Sequence, residues 1–137
     1  MYWNQSETNI WVAGHRGNPV ESPENTMASF RNAMEAGLDM IELDIQMSRD
    51  GKLVIMHNFT VDQTTDGTGA IREMTLKEIR ELDAGCKFSE TYRGEKVPLF
   101  EEFLELTKKY PDMMYDFELK EYPAEGNERR AFEAADQ

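Results

Sequence analysis

Three carboxylates and two histidines are the side chains of this sequence best suited to chemistry. Glu42 and Asp44 sit two residues apart in Met40-Ile-Glu-Leu-Asp-Ile-Gln-Met47, where apolar and polar residues alternate. On an extended strand that spacing puts both on one face with Cβ atoms roughly 6.6 Å apart, so their carboxylates can converge on one cation. Glu118, in the alternating stretch Met113 to Leu119, offers a third. An all-oxygen set of this kind suits a hard ion, Mg²⁺, Ca²⁺ or Mn²⁺, and leaves positions for water or phosphate oxygens. Alternation alone also produces a strand with one wet face, so the Glu42/Asp44 pair by itself supports either reading.

His15 and His57 are the only histidines, and each falls at the end of a candidate strand. Two imidazoles near neutral pKa would supply an acid and a base for displacement at phosphorus; either one alone could equally be a structural or surface residue. Arg16 offers a planar fork for phosphate oxygens and Lys120 a point charge, although each taken singly also fits a solvated surface. Gly67 and Gly69 do not form a dinucleotide-binding loop, because no strand runs directly into them and no helix starts directly after.

These residues need strands to hold them. Asn9 to Gly14 reads as a short buried strand that delivers His15, Arg16 and Gly17. A helix should follow, started by Ser22 as cap with Pro23 and Glu24 in its first turn, carrying Met27, Phe30, Ala33 and Met34 on one face and ended by Gly37. In the next strand Ile41, Leu43, Ile45 and Met47 share one face, and Glu42, Asp44 and Gln46 the other. Asp50-Gly51 predicts a two-residue hairpin loop, with Lys52 to Asn58 as the return arm and Asp44 opposite His57.

Thr60 to Ala70 is turn-rich and polar, a loop. Thr75-Leu-Lys-Glu78 is a capping box opening a helix with Leu76, Ile79 and Leu82 inward, ended near Gly85. Residues 86–97 read as irregular. After Pro98 a second amphipathic helix carries Leu99, Phe103 and Leu106 inward and ends before Pro111, and the strand Met113 to Leu119 follows. Glu128 to Gln137 could begin another helix. Strand, helix, strand, helix, strand is the rhythm of an α/β protein.

The chain has 137 residues, the size of one domain, and its 39% hydrophobic and 31% charged content is that of a folded globular protein. A net charge of -12, with 27 acidic residues against 15 basic ones and no basic stripe, argues against nucleic-acid binding. It also means that a small anion would need a local source of positive charge, such as a carboxylate-held divalent cation. One cysteine excludes an internal disulfide, and no apolar run approaches the ~18 residues of a membrane span. The N-terminus lacks a signal-peptide pattern, so a cytoplasmic location is expected.

The ordered set Ala13-Gly-His-Arg-Gly17, Ser22 to Phe30 (SPENTMASF), Ile41 to Asn58 (IELDIQMSRDGKLVIMHN), Thr64 to Gly69 (TTDGTG) and Phe117-Glu-Leu-Lys120 resembles the glycerophosphodiester phosphodiesterase family. The resemblance spans nearly the whole chain. It implies the N-terminal part of a TIM (β/α)₈ barrel, with residues 1–137 a partial phosphodiesterase domain, the hairpin an extension above the second barrel strand, and about 60–97 an inserted region over the site. It implies hydrolysis of a small-molecule glycerophosphodiester to sn-glycerol 3-phosphate and an alcohol, by way of a cyclic phosphate. Carried over by position, Glu42, Asp44 and Glu118 would ligate one divalent cation, His15 and His57 would be acid and base, and Arg16 and Lys120 would steady the phosphate.

This sequence departs from the family pattern at Asn58, where an aspartate commonly follows the histidine, and at Gln63, where an arginine is usual. A (β/α)₈ barrel typically takes about 250 residues, so the barrel is expected to be incomplete in this chain. Its open edges would favour self-association. Two further readings follow: a metal-binding, self-associating module without activity, and a phospholipase D-like enzyme acting on lysophospholipids.

Overall fold

Alternating Ile41, Leu43 and Ile45 make Met40–Met47 a strand, β2, and in this computed structural model, which describes residues 11–121, every other strand pairs with it. β1, Ala13–His15, runs parallel to it with His15 beside Glu42; β4, Met114–Leu119, runs parallel on the opposite edge with Asp44 beside Glu118. β3, Leu53–Ile55, is the antiparallel return arm of the hairpin. Because Ile45 pairs with both β3 and β4, β3 takes the same edge of β2 as β1, beyond the point where β1 ends.

The helices cover the apolar face of this sheet. α1, Met27–Glu35, and α3, Phe100–Thr107, bring Phe30, Ala33, Met34, Phe103 and Leu106 against Ile41, Leu43, Ile45 and Ile55. Phe103 is fully buried and makes edge-on contacts with Phe30 at 4.8 Å and Tyr115 at 5.4 Å between ring centroids, an arrangement that adds to plain area burial. A second core joins Val54 and Met56 to Val61, Ile71, Ile79 and Val97 of the segment that follows the hairpin. Val54 and Met56 alternate with Ile55, so the hairpin is packed on both faces.

Several boundaries differ from the sequence expectation. Of the proposed first strand, Asn9 and Ile10 lie outside the described residues, Val12 is exposed and only Gly14 of β1 is buried. α1 is capped by Thr26, whose hydroxyl accepts from the Ser29 amide, and not by Ser22. The reason is Asn25: at φ +53° it cannot continue a right-handed helix, so Ser22 to Asn25 form a separate turn. α1 does end at Gly37, with Gly37 N–H bonded to Met34 O and Leu38 N–H to Ala33 O, a Schellman closure.

The hairpin loop is Arg49-Asp50-Gly51, three residues rather than two. Gly51 at φ +80° takes the left-handed position that such loops require. Ser48 therefore pairs with Lys52, the register shifts by one, and Met56 rather than His57 stands opposite Asp44, donating its amide to Asp44 O at 3.0 Å. The capping box at Thr75 is present, but α2, Leu76–Arg80, ends well before Gly85. The stretch from Ala70 to Val97 adds two short 3-10 turns, Ile71–Glu73 and Glu90–Tyr92. The possible helix at Glu128 to Gln137 lies outside the described residues.

Candidate active site

The polar face of β2 and β4 carries the candidate site. Register places Glu118 directly beside Asp44, and Glu42 lies two residues up the same strand. One carboxylate oxygen from each of the three lies within 4.8 Å of the others. Asp44 is fully buried. Glu42 Oε1 and Asp44 Oδ1 are buried without a hydrogen-bond partner. Orphaned anionic acceptors of this kind are costly unless a cation compensates them. Burial above all, with the charge of Asp44 next, pushes the Glu42 carboxyl up to about 7. Three hard oxygen donors converging on one point fit a divalent cation such as Mg²⁺ or Ca²⁺.

Two fixed cations reach the same cluster. Lys120 Nζ lies 3.0 Å from Glu118 and 3.8 Å from Asp44, and Arg16 Nε lies 3.8 Å from Asp44. Arg16 also donates to Glu24 at 3.0 Å. With Glu24 counted, four carboxylates face two cations, and a divalent ion would cancel the remaining two negative charges.

The β1 end is held by a small network. Arg16, at φ +58°, and Asn25, at φ +53°, both occupy the left-handed region, and they bond to each other through Asn25 N–H and Arg16 O at 2.9 Å. Non-glycine residues pay about 1 kcal/mol or more for that conformation. Ser29 from α1 secures it, donating its hydroxyl to Arg16 O and accepting from the Asn18 amide at 2.7 Å. His15 is left largely exposed with Nε2 3.5 Å from Glu42.

His57 follows β3 by two residues and lines a small cleft with Glu24, Asn25, Met56 and Asn58. Its Nδ1 is 2.7 Å from Asn58 Oδ1. Six of the seven residues singled out in the sequence, His15, Arg16, Glu42, Asp44, Glu118 and Lys120, meet around the carboxylate cluster, while His57 reaches it only through the cleft it shares with Glu24 and Asn25. Sequence reasoning missed two others, Glu24 and Asn25, which it spent on a helix start. Asn25 is buried and donates to Asp44 at 3.0 Å, while Glu24 pairs with Arg16. Their signal was the break in helical geometry at Asn25, which a single sequence does not display.

Residues 15–136 match the model of the glycerophosphoryl diester phosphodiesterase family. A glycerophosphodiester phosphodiesterase of Caldanaerobacter subterraneus subsp. tengcongensis is 48% identical over 109 residues, covering 80% of this chain and 44% of its own. Glycerophosphodiester phosphodiesterase 1 of Homo sapiens is 42% identical over 95 residues, covering 68% of this chain and 29% of its own. Among solved structures, a glycerophosphodiester phosphodiesterase from Agrobacterium tumefaciens superposes with a TM-score of 0.78 at 35% identity, over 90% of this chain and 54% of that one. An Oleispira antarctica phosphodiesterase, solved with the product sn-glycerol-3-phosphate, does so with 0.78 at 37%, over 91% and 49%.

The chain therefore spans about half the length of these relatives or less. The described strands and helices are the first part of a phosphodiesterase-type (β/α)₈ barrel, and the chain belongs to the glycerophosphoryl diester phosphodiesterase family.

Proposed function

We propose that this chain carries the metal-dependent site that hydrolyses glycerophosphodiesters to sn-glycerol 3-phosphate and an alcohol. The observation that carries the reading is the convergence of Glu42, Asp44 and Glu118 within 4.8 Å, flanked by His15, Arg16 and Lys120. The product bound in the Oleispira antarctica phosphodiesterase supports the substrate class. The three carboxylates would hold Mg²⁺ or Ca²⁺, with Mn²⁺ a third candidate. When bound, the ion supplies positive charge against the charge that develops on the phosphoryl oxygens.

Arg16 and Lys120 orient the phosphate. One imidazole of the His15/His57 pair takes the proton of the attacking glycerol hydroxyl and the other gives one to the leaving alcohol, yielding a cyclic phosphate that water then opens. His57 is suited to such a role because its Nδ1 bond to Asn58 leaves Nε2 free.

Incubating the purified, folded chain with glycerophosphocholine and each divalent ion, and assaying glycerol 3-phosphate, tests the proposal. Product that disappears with a chelator and returns with the ion is the expected result. Choline release from lysophosphatidylcholine, with glycerophosphocholine left intact, would overturn it in favour of a lysophospholipid substrate.

A further inference from the structure

Gln46 is the third polar side chain on the inward face of β2, after Glu42 and Asp44, and it is 2% exposed. It has no part in the cation cluster. Its Nε2 donates to Met56 O and to Asn58 O, both at 2.7 Å. These are the carbonyls on either side of His57. The chain bends at His57 and Asn58, so the two carbonyls converge on one side-chain amide, whose two protons can hold both.

The position of this clamp is what gives it meaning. The β2–β3 ladder ends at Ile55, and one further backbone bond, from Met56 N–H to Asp44 O, closes the pairing. Had the ladder continued in the observed register, His57 would stand opposite Leu43, on the apolar side. The chain instead leaves the ladder at Met56, and the Gln46 amide takes over where the backbone bonds stop. Asn58, whose carbonyl Gln46 grips, in turn presents Oδ1 to His57 Nδ1 at 2.7 Å. An acceptor at Nδ1 keeps the ring proton there and leaves Nε2 as the atom that exchanges protons.

We infer that Gln46 is a positioning residue for His57: it ties the histidine's backbone to the strand that carries the metal carboxylates, and through Asn58 it fixes the ring's tautomer. The inference rests on the function proposed above, and its test separates the two. Because the chain has only two histidines, their ring signals can be assigned with a single His57→Gln variant.

Gln46→Leu and wild type are compared for glycerophosphocholine hydrolysis with Mg²⁺, for Mg²⁺ affinity by calorimetry, and for His57 tautomer by long-range ¹H–¹⁵N NMR. The expected result is a single Nδ1–H tautomer in wild type, mixed tautomers in Gln46→Leu, kcat lower by tenfold or more, and KM and Mg²⁺ affinity within about twofold. An unchanged ring spectrum with unchanged kcat overturns the inference, as does a loss of Mg²⁺ affinity that matches the loss of kcat.

If wild type hydrolyses nothing, the proposed function fails while the ring spectra still decide the role of Gln46. If Gln46→Leu does not fold, hydrogen exchange of the Gln46 side-chain amide in wild type decides instead. Protection is expected, and exchange at the rate of a free glutamine overturns the inference.

Discussion

Asp44 and Glu118 stand side by side in the parallel register of β2 and β4, two carboxylates on adjacent strands with Lys120 Nζ 3.8 Å from one and 3.0 Å from the other. Like charges set so close destabilise a sheet unless something positive joins them. Glu118→Gln is therefore expected to raise the thermal midpoint of the metal-free chain while weakening Mg²⁺ binding by tenfold or more. Calorimetric titration and melting curves with and without the ion measure both effects. A variant that binds Mg²⁺ like wild type would remove Glu118 from the ligand set.

Glu42 provides the pH dependence. Its carboxyl is pushed from an ordinary 4.5 up to about 7, first by burial and then by Asp44. Between those values the folded chain holds a proton that the unfolded chain has lost, so metal-free stability falls as pH rises through the window. A cation must displace that proton, so its affinity rises with pH up to about 7 and levels off above. Titrations at pH 6 in two buffers of different ionisation enthalpy should show close to one proton released, and those at pH 8.5 almost none.

The proposed acid and base roles predict that His15→Asn and His57→Asn each lower kcat by about 10²–10⁴. Mg²⁺ affinity should stay within a few-fold for His57→Asn, because the three carboxylates do not depend on that ring. Rates at saturating ion and substrate distinguish this from a binding defect.

Gly17 is where the β1 end meets α1. It sits at φ +90°, and an added Cβ would come within 2.3 Å of Ser29 Oγ and 2.8 Å of the Ser29 backbone. Gly17→Ala is expected to cost about 1–3 kcal/mol and to displace His15 and Arg16. Denaturant midpoints and hydrolysis rates should fall together.

In the core, Phe103 touches Phe30, Tyr115 and Phe117 and is fully buried. Phe103→Ala should cost about 3–5 kcal/mol, seen as a lower denaturant midpoint. Because the ring lies under the sheet on the side away from the carboxylates, Mg²⁺ affinity of the folded fraction should hold.

The site's carboxylates were legible because strand periodicity is a local property: once Met40–Met47 is a strand, Glu42 and Asp44 must share a face. The pairing of Asp44 with Glu118 was not, since the register of two strands seventy residues apart is decided by packing of α1 and α3 beneath them. The hairpin shows how fine the margin is. Asp-Gly fits both two- and three-residue loops, and Ser48, whose hydroxyl bonds Asp50 and the Lys52 amide, tips the choice by one residue. Asn25 and Glu24 were hidden for a related reason: a Ser-Pro-Glu start is a good helix signal, and the turn that overrides it is stabilised by contacts to Arg16 and Asp44, distant in sequence.

That all strands pair with β2 has a kinetic meaning. β2 is paired with β4 along Met40 to Ile45 and flanked on its other edge by β1 at Met40 to Glu42 and by β3 at Ile45, so most of its amides can exchange with solvent only when the sheet opens. The arm carrying His57 has a shorter ladder and can open by a smaller fluctuation. Under mild denaturation the site should therefore come apart in order, with the His57 arm let go first and the carboxylates last, so that a chain that has lost the proposed activity would still bind a divalent cation.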